Sequence, residues 1–309
     1  MTLPADIPKP RLALMVNPAA GRHDPAMLVR LAAALGAKGF VVETVVGERV
    51  GDLGRRAAGL DSEIIAVSGG DGTINEVVGA LAGGSGPLPR LAVIPNGTAN
   101  VLAHEYALPR GEEAIVAAIT GGKTRPLHLA DVHVEGEAER PFFLMTSVGF
   151  DAEVVHAVEA RTKRRFKKLA FLVTALRLGL RRRTRLAVEI ETPSGERRVL
   201  DCAMVVVAKA SHYGGPFVLT RATAMDRPGL RLVALADDRP KALLDAAWRI
   251  ALGRLEGSPN VTALDVARVV IDTVGPTSVH VQIDGEPCGH TPVEVATSDR
   301  VLELIVPGA

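Results

Sequence analysis

Ser68-Gly69-Gly70-Asp71-Gly72-Thr73 sets three glycines, two hydroxyls and a carboxylate directly behind the apolar run Ile64 to Val67. Glycines permit positive φ and let a backbone approach a ligand closely. Successive N–H groups in such a turn can cradle an anion, and a helix opening behind them adds its positive end. The chemistry this suggests is the holding of nucleotide phosphates. Asp71 repels a bare phosphate. It suits a nucleotide whose charge Mg²⁺ neutralises, or it handles a proton or orients a substrate hydroxyl. Thr73 could cap the helix. The same six residues, taken alone, also describe a plain strand-to-helix turn with Asp71 as its N-cap. Two further turns of small and polar residues follow apolar runs: Asn17-Pro18-Ala19-Ala20-Gly21-Arg22 and Pro95-Asn96-Gly97-Thr98-Ala99-Asn100. Asn75 and Glu76 fall on the first turn of the helix behind the glycine loop, where buried polar groups need partners.

The elements that must position these turns can be read from periodicity. Leu12 to Val16, Phe40 to Val46, Ile64 to Val67 and Leu91 to Ile94 predict strands. Helices are predicted over Pro25 to Leu35, Val50 to Ala58, Ala99 to Tyr106 and Glu112 to Ile119. Ile74, Val77, Val78 and Leu81 recur at i, i+3, i+4, i+7, which predicts a helix straight after the glycine loop. Uniformly apolar strands between amphipathic helices imply a parallel sheet covered on both faces, with ligands at the carboxyl ends of its strands. All three unusual turns lie at such ends.

Beyond about Leu129 strand signals dominate: Leu129 to Val134, Phe142 to Val148, Arg185 to Glu191, Ala203 to Ala208, Leu230 to Leu235, Val266 to Asp272, Ser278 to Ile283 and Val301 to Val306. Pro193-Ser194-Gly195 predicts a hairpin turn, and Asp284-Gly285 has the composition of a type I′ turn. Helical insertions are expected at Ala152 to Leu180 and Lys241 to Gly253. The expectation is an α/β nucleotide-binding domain over residues 1–130 and an antiparallel β-sandwich or barrel over 131–309.

Composition excludes several classes. The formal net charge of the 309 residues is +1 and aromatic residues make up 3%, so nucleic acid is not an expected partner. Cys202 and Cys288 form no CxxC pair, which fits a reducing cytoplasm. Met1 to Pro10, interrupted by Pro4, Asp6, Pro8 and Pro10, is not expected to be a signal peptide. The apolar stretch Leu169 to Leu180 is too short for a membrane span and contains Arg177. His23, His104, His128, His133, His156, His212, His280 and His290 show no metal-ligand spacing. Ser68 and Ser147 lie in no GxSxG elbow.

The ordered set NPAAGR, SGGDGTINEVV and IPNGTAN resembles the catalytic domain of the diacylglycerol kinase and sphingosine kinase superfamily, nearest to the soluble bacterial diacylglycerol kinases and YegS-like lipid kinases. The resemblance continues through Val148-Gly149-Phe150-Asp151, Tyr213-Gly214-Gly215 and Ile283-Asp284-Gly285-Glu286-Pro287, and so covers nearly the whole chain. It implies a Rossmann-type N-terminal domain similar to that of NAD kinases, a sandwich domain for the lipid, and ATP with Mg²⁺ in a cleft between them. By position, Asn17, Pro18, Ala19, Ala20 and Gly21 would contact the nucleotide. Gly69, Gly70, Asp71, Gly72, Thr73, Ile74 and Asn75 would form the phosphate loop, with Glu76 beside it, and Thr44 and Thr98 match threonines that contact ATP. Glu286 matches the proton acceptor of the bacterial enzymes, and Asp71 matches the residue given that role in sphingosine kinases. Either carboxylate can accept the proton of an attacking hydroxyl.

Three positions depart from the family pattern. Val101 replaces an acid of a magnesium–water network that Asp71 and Asp131 would still support. Pro228 stands where a structural magnesium expects an aspartate, leaving Asp226 with the carbonyls of Met225 and Leu230. Lys209 lies near the usual place of an asparagine. The implied activity is transfer of the ATP γ-phosphoryl group to a hydroxyl of a diacylglycerol-like lipid. Phosphorylation of a soluble small molecule in the manner of NAD kinases is one alternative, and nucleotide binding without catalysis is another. The basic and apolar stretch Arg161 to Arg185 could lie on the inner face of an anionic membrane, each basic side chain adding ~1 kcal/mol. It could equally be a solvated face whose apolar side packs on the sandwich. A peripheral cytoplasmic enzyme is expected, with a homodimer as one candidate assembly.

Overall fold

The computed structural model describes residues 9–84, 86–159 and 184–308. The insertion expected over Ala152 to Leu180 is described only to Glu159, and the basic stretch Arg161 to Arg185 only at its last two residues. The chain divides into two compact units. One comprises the described residues through Pro126 and from Leu302 on; the other runs from Leu127 to Val301.

The first unit contains β1 (Arg11–Val16), α1 (Pro25–Ala37), β2 (Val41–Val46), α2 (Asp52–Ala57), β3 (Ile64–Gly69), α3 (Asp71–Ala82), β4 (Arg90–Pro95), α4 (Val101–Glu105) and α5 (Glu112–Gly121). β3 is buried throughout, β1 and β4 at all but their first residue, as expected of central strands. The strand order is β2-β1-β3-β4, all parallel. The chain leaves β1 toward one edge and returns to its other side as β3. The loops after β1 and β3 therefore flank the point where strand order reverses, the usual ligand position in such sheets. α1 starts where expected, with Asp24 accepting the Met27 amide and Pro25 in the first turn, and it buries Leu28, Leu31 and Leu35 against the sheet.

The second unit is a sandwich. It continues with β5 (Thr124–Val134), whose first three residues belong to the first unit, then β6 (Arg140–Phe142), β7 (Met145–Val148), α6 (Phe150–Glu159), β8 (Leu186–Glu191), β9 (Arg197–Cys202), β10 (Met204–Ala208), β11 (His212–Tyr213), β12 (Phe217–Val218), β13 (Leu230–Leu235), α7 (Pro240–Ala251), a 3₁₀ turn (Leu255–Gly257), β14 (Val261–Val266), β15 (Arg268–Thr273), β16 (His280–Ile283), β17 (Glu286–His290) and β18 (Val293–Ile305). One antiparallel sheet runs β14-β13-β10-β7-β16-β17. Facing it, β18-β15-β8-β9 are joined by β5 and β6. Val148, Val205, Val207, Leu232, Val281 and Ile283 of the first sheet share one core with Val188, Ile190, Val269, Ile271, Val293 and Val295 of the second. The last residues of β18 belong to the first unit, where Leu304 pairs with Leu91 of β4 in parallel.

Several boundaries differ from expectation for identifiable reasons. The run Phe142 to Val148 is two strands, because the amides of Phe143, Leu144 and Met145 turn aside to the Asp284 carboxylate. The run Val266 to Asp272 is cut at Ala267, whose amide bonds to Glu191 outside the strands. The helix behind the glycine loop begins at Asp71 rather than after Thr73. β14 and β17 were not legible: β14 buries only its last residue fully and β17 only Cys288, so neither shows alternation.

Candidate phosphate-binding site and the hairpin that carries Glu286

In the first unit the three turns form one cluster. The Asn17 amide donates to the Ser68 carbonyl at 3.0 Å, the Asn96 amide to the Gly69 carbonyl at 2.9 Å, and the Arg22 amide to the Asn96 carbonyl at 3.0 Å. Side chains add three ties. Asn17 Nδ2 donates to Thr73 Oγ1 at 2.8 Å, its Oδ1 accepts the Ala19 amide at 2.9 Å, and Asn96 Nδ2 donates to buried Ser68 Oγ at 2.8 Å. Asn100 closes its own turn by bonding both the amide and the carbonyl of Gly97, at 2.8 and 2.9 Å. Sequence reasoning quoted Asn96 and Asn100 only as part of a motif; their work is to lock the third turn.

Of the two uses expected of the glycines, positive φ and close approach, the second is the one seen, and it is between stretches of backbone. None of Gly69, Gly70 and Gly72 has positive φ. Gly70, the N-cap of α3, is extended at φ −99°. What they provide is close approach: a Cβ on Gly97 would lie 2.4 Å from the Gly70 Cα, and one on Gly69 would meet the Thr73 side chain at 2.6 Å. The second and third turns touch backbone to backbone. Gly97→Ala is expected to pry them apart and to weaken nucleotide binding about tenfold or more, near 1.4 kcal/mol per decade. Titration calorimetry with ATP reads this, with Gly86→Ala, whose Cβ would meet nothing within 4 Å, as the unaffected control.

Thr73 does not cap α3, and no other side chain does. Its hydroxyl is taken by Asn17. The positive end of a twelve-residue helix therefore faces the three-turn cluster without a side-chain cap. Asp71 is not the N-cap of α3 either. It is the first helical residue, and its carboxylate reaches to the start of α4. There Oδ2 accepts the Val101 amide at 3.0 Å and Oδ1 the Leu102 amide at 3.2 Å. Burial raises the Asp71 carboxyl above its ordinary value, against the lowering effect of those amides. Val101, where the family carries an acid, thus contributes its backbone N–H to the Asp71 contact.

The remaining expected contacts divide. Asn75 is 7% exposed, and its Oδ1 has no hydrogen-bond partner, so a buried acceptor at the fifth residue of α3 lacks a donor. Glu76 turns away: its Oε1 accepts the Gly54 amide of α2 at 2.8 Å, capping that helix. Ile74 is core. Thr98 is exposed, with the Cβ position of Gly21 at 3.6 Å from its hydroxyl. Pro18, Ala19 and Gly21 are exposed and Ala20 half-buried on the first turn. Thr44 sits within edge strand β2 level with Leu14, two residues before the strand's carboxyl end.

In the second unit Glu286 opens β17, directly after a tight turn. Asp284 and Gly285 have φ of 50° and 85°, and Ile283 pairs with Glu286 across them. This is the type I′ hairpin that the composition suggested. Its anchoring is extensive. The Asp284 carboxylate, 7% exposed, accepts the amides of Phe143, Leu144 and Met145 at 3.2, 3.0 and 2.8 Å. Gln282 Oε1 accepts the Gly285 amide at 2.7 Å, while its Nε2 donates to Ser147 Oγ and Asp151 Oδ2. Ser147 and Tyr213 also donate to Asp151. Burial raises the Asp151 carboxyl. Three motifs far apart in sequence, those of Asp151, Tyr213 and Glu286, thus meet in one buried network.

The candidate metal ligands are differently engaged. Asp131 accepts from Arg300 at 2.7 Å, and that guanidinium also holds Glu139. The Met225 carbonyl accepts the His128 amide at 2.9 Å. Leu230 begins β13, opposite Val266. The Lys209 ammonium donates to the carbonyls of Arg227 and Gly229 at 2.8 and 3.2 Å, with Asp226 close enough to favour its charge. The histidines are less scattered than they looked: the rings of His156, His280 and His290 group within 6.3 Å of one another.

An α/β unit carrying the three-turn cluster is thus joined in sequence to a sandwich carrying a DGE hairpin. Residues 11–132 match the diacylglycerol kinase catalytic domain, and residues 145–306 match the YegS C-terminal NAD kinase beta sandwich-like domain. The chain belongs to this kinase family. It is 26% identical over 315 residues to a diacylglycerol kinase of Bacillus subtilis (strain 168), covering 96% of each chain. It is 25% identical to an uncharacterized protein of Synechocystis sp. over 84% of this chain, and the match spans 58% of that protein's length. A crystal structure of a diacylglycerol kinase from Bacillus anthracis str. Sterne shares the fold at 19% identity and TM-score 0.71, covering 97% of this chain and 98% of that one.

Proposed function

We propose that this kinase transfers the γ-phosphoryl group of ATP to a hydroxyl of a diacylglycerol-like lipid. The observation that carries the reading is the three-turn cluster at the start of α3, where no side chain caps the helix. Polyphosphate charge suits that helix end. The acceptor oxygen attacks the γ-phosphorus, the bond to the β,γ-bridging oxygen breaks and ADP leaves. The hydroxyl proton passes to a carboxylate, assigned to Glu286 with Asp71 as the rival. Glu286 is exposed and stands on a hairpin held rigidly from below, as a proton acceptor should be. Asp71, by contrast, is committed to two amides of α4. Mg²⁺ bound with the nucleotide neutralises phosphate charge.

A lipid acceptor is supported by the family and by α7. Among the described residues no helix is long and apolar enough to cross a membrane. On α7 and just beyond it, however, Leu244, Trp248 and Leu252 are 67, 67 and 49% exposed at i, i+4 and i+8. Such an apolar stripe can lie in a bilayer interface, which suits an enzyme working at the inner membrane face. Trp248 is the sole tryptophan of the chain. Its fluorescence is expected to shift to the blue and gain intensity with phospholipid vesicles, and Leu244→Asp is expected to suppress the change. The reaction itself is tested by incubating the protein with labelled ATP and separate panels of lipid micelles and soluble alcohols. Label on a lipid is expected. Label on soluble acceptors with none on lipid would assign the soluble-substrate activity instead, and label on neither would leave a nucleotide-binding protein.

A further inference from the structure

We infer that the Lys209 ammonium is the built-in cation of the loop Met225 to Leu230, and that this loop therefore binds no divalent metal. Lys209 follows β10 directly and is 1% exposed, among the most buried charged side chains in the protein. A buried charge persists only when paired and hydrogen-bonded. Lys209 meets both conditions within one loop: it donates to the carbonyls of Arg227 and Gly229 and has Asp226 as its counter-charge. Gly229, at φ 118°, helps shape the turn that presents these carbonyls. Thr223 Oγ1 donates to the Lys209 carbonyl at 2.9 Å, fixing the lysine's own backbone to the same loop.

Converging backbone carbonyls beside a carboxylate are the donor set of a hard cation. Here an ammonium already sits on two of them. A divalent ion coordinated by Asp226, Met225 O and Leu230 O would adjoin that fixed positive charge and would compete with it for Asp226. The charge count agrees. Pro228 brings no carboxylate to the loop, while Lys209 supplies a positive charge that Asp226 faces. Two departures from the family pattern that looked unrelated in sequence are thus one exchange, a metal and an acid for a lysine and a proline.

The test uses the full chain without nucleotide, so it does not depend on the acceptor or on catalysis. Tm is measured by differential scanning fluorimetry in EDTA, in millimolar Mg²⁺ and in millimolar Ca²⁺, for the wild type and Asp226→Asn. No metal-induced rise, or a rise that Asp226→Asn leaves intact, is the expected result. A rise that Asp226→Asn abolishes would overturn the inference. Lys209→Met, of similar length and without charge, should melt several degrees lower in EDTA; an unchanged Tm would also overturn it. If Lys209→Met does not fold, the wild-type and Asp226→Asn arms decide the matter. In the double variant Lys209→Asn/Pro228→Asp, a Mg²⁺-dependent Tm should appear where the wild type has none.

Discussion

Replacing Asp284 by alanine is expected to remove roughly 4 kcal/mol of stability, since each buried amide left without an acceptor costs ~1–3 kcal/mol. Three amides, those of Phe143, Leu144 and Met145, converge on this carboxylate. Water entering the vacated space would recover part of the loss. Asp284→Asn keeps an acceptor oxygen but turns an NH₂ toward at least one amide, so about half the effect is expected. Urea unfolding followed by circular dichroism measures both, as a lower midpoint at unchanged slope. The variant should also lose activity, because this side chain holds the strand break after Phe142 and, with Gln282, the hairpin of Glu286. Wild-type stability for Asp284→Ala would mean that the amides find other acceptors and that the hairpin is anchored elsewhere.

That anchor illustrates what the sequence could and could not disclose. The three phosphate-site turns were legible because each ends an apolar strand with a cluster of Gly, Asn, Ser or Pro, a purely local signal. The I′ turn at Asp284-Gly285 was legible on the same ground. The partners of the acidic residues were not, because they depend on distances across the fold. Asp71, which could read as a metal- or hydroxyl-facing acid or as a cap of its own helix, holds the start of α4, thirty residues on. Glu76, expected beside the phosphate loop, caps α2, twenty-two residues earlier. Composition cannot tell positive φ from close approach, both of which glycine allows, and here Gly70 and Gly97 are crowded rather than left-handed. The grouping of His156, His280 and His290 likewise needs the pairing of β16 with β17 and the packing of α6 on β16, neither of which spacing reveals.

Glu286→Gln is expected to lower kcat by about 10²–10⁴, the usual worth of a positioned general base, with KM for ATP unchanged. Its stability should stay within about 0.5 kcal/mol of wild type, because Glu286 is exposed at a hairpin end whose fold is secured by Asp284 and Gln282. Asp71→Asn should behave differently. Its amide group can accept from only one of the Val101 and Leu102 amides, so ~1–2 kcal/mol of stability should be lost. The pH dependence separates the two further. Burial raises the Asp71 carboxyl, so its charging is harder in the folded protein than in the unfolded chain. Its contribution to stability is therefore greatest below its ordinary value and declines as pH rises through the raised one, a slope that Asp71→Asn should abolish. Glu286→Gln should leave that slope intact. If Glu286→Gln instead kept wild-type kcat while Asp71→Asn lost it, the proton would go to Asp71, and its contact with α4 would have to open during the reaction.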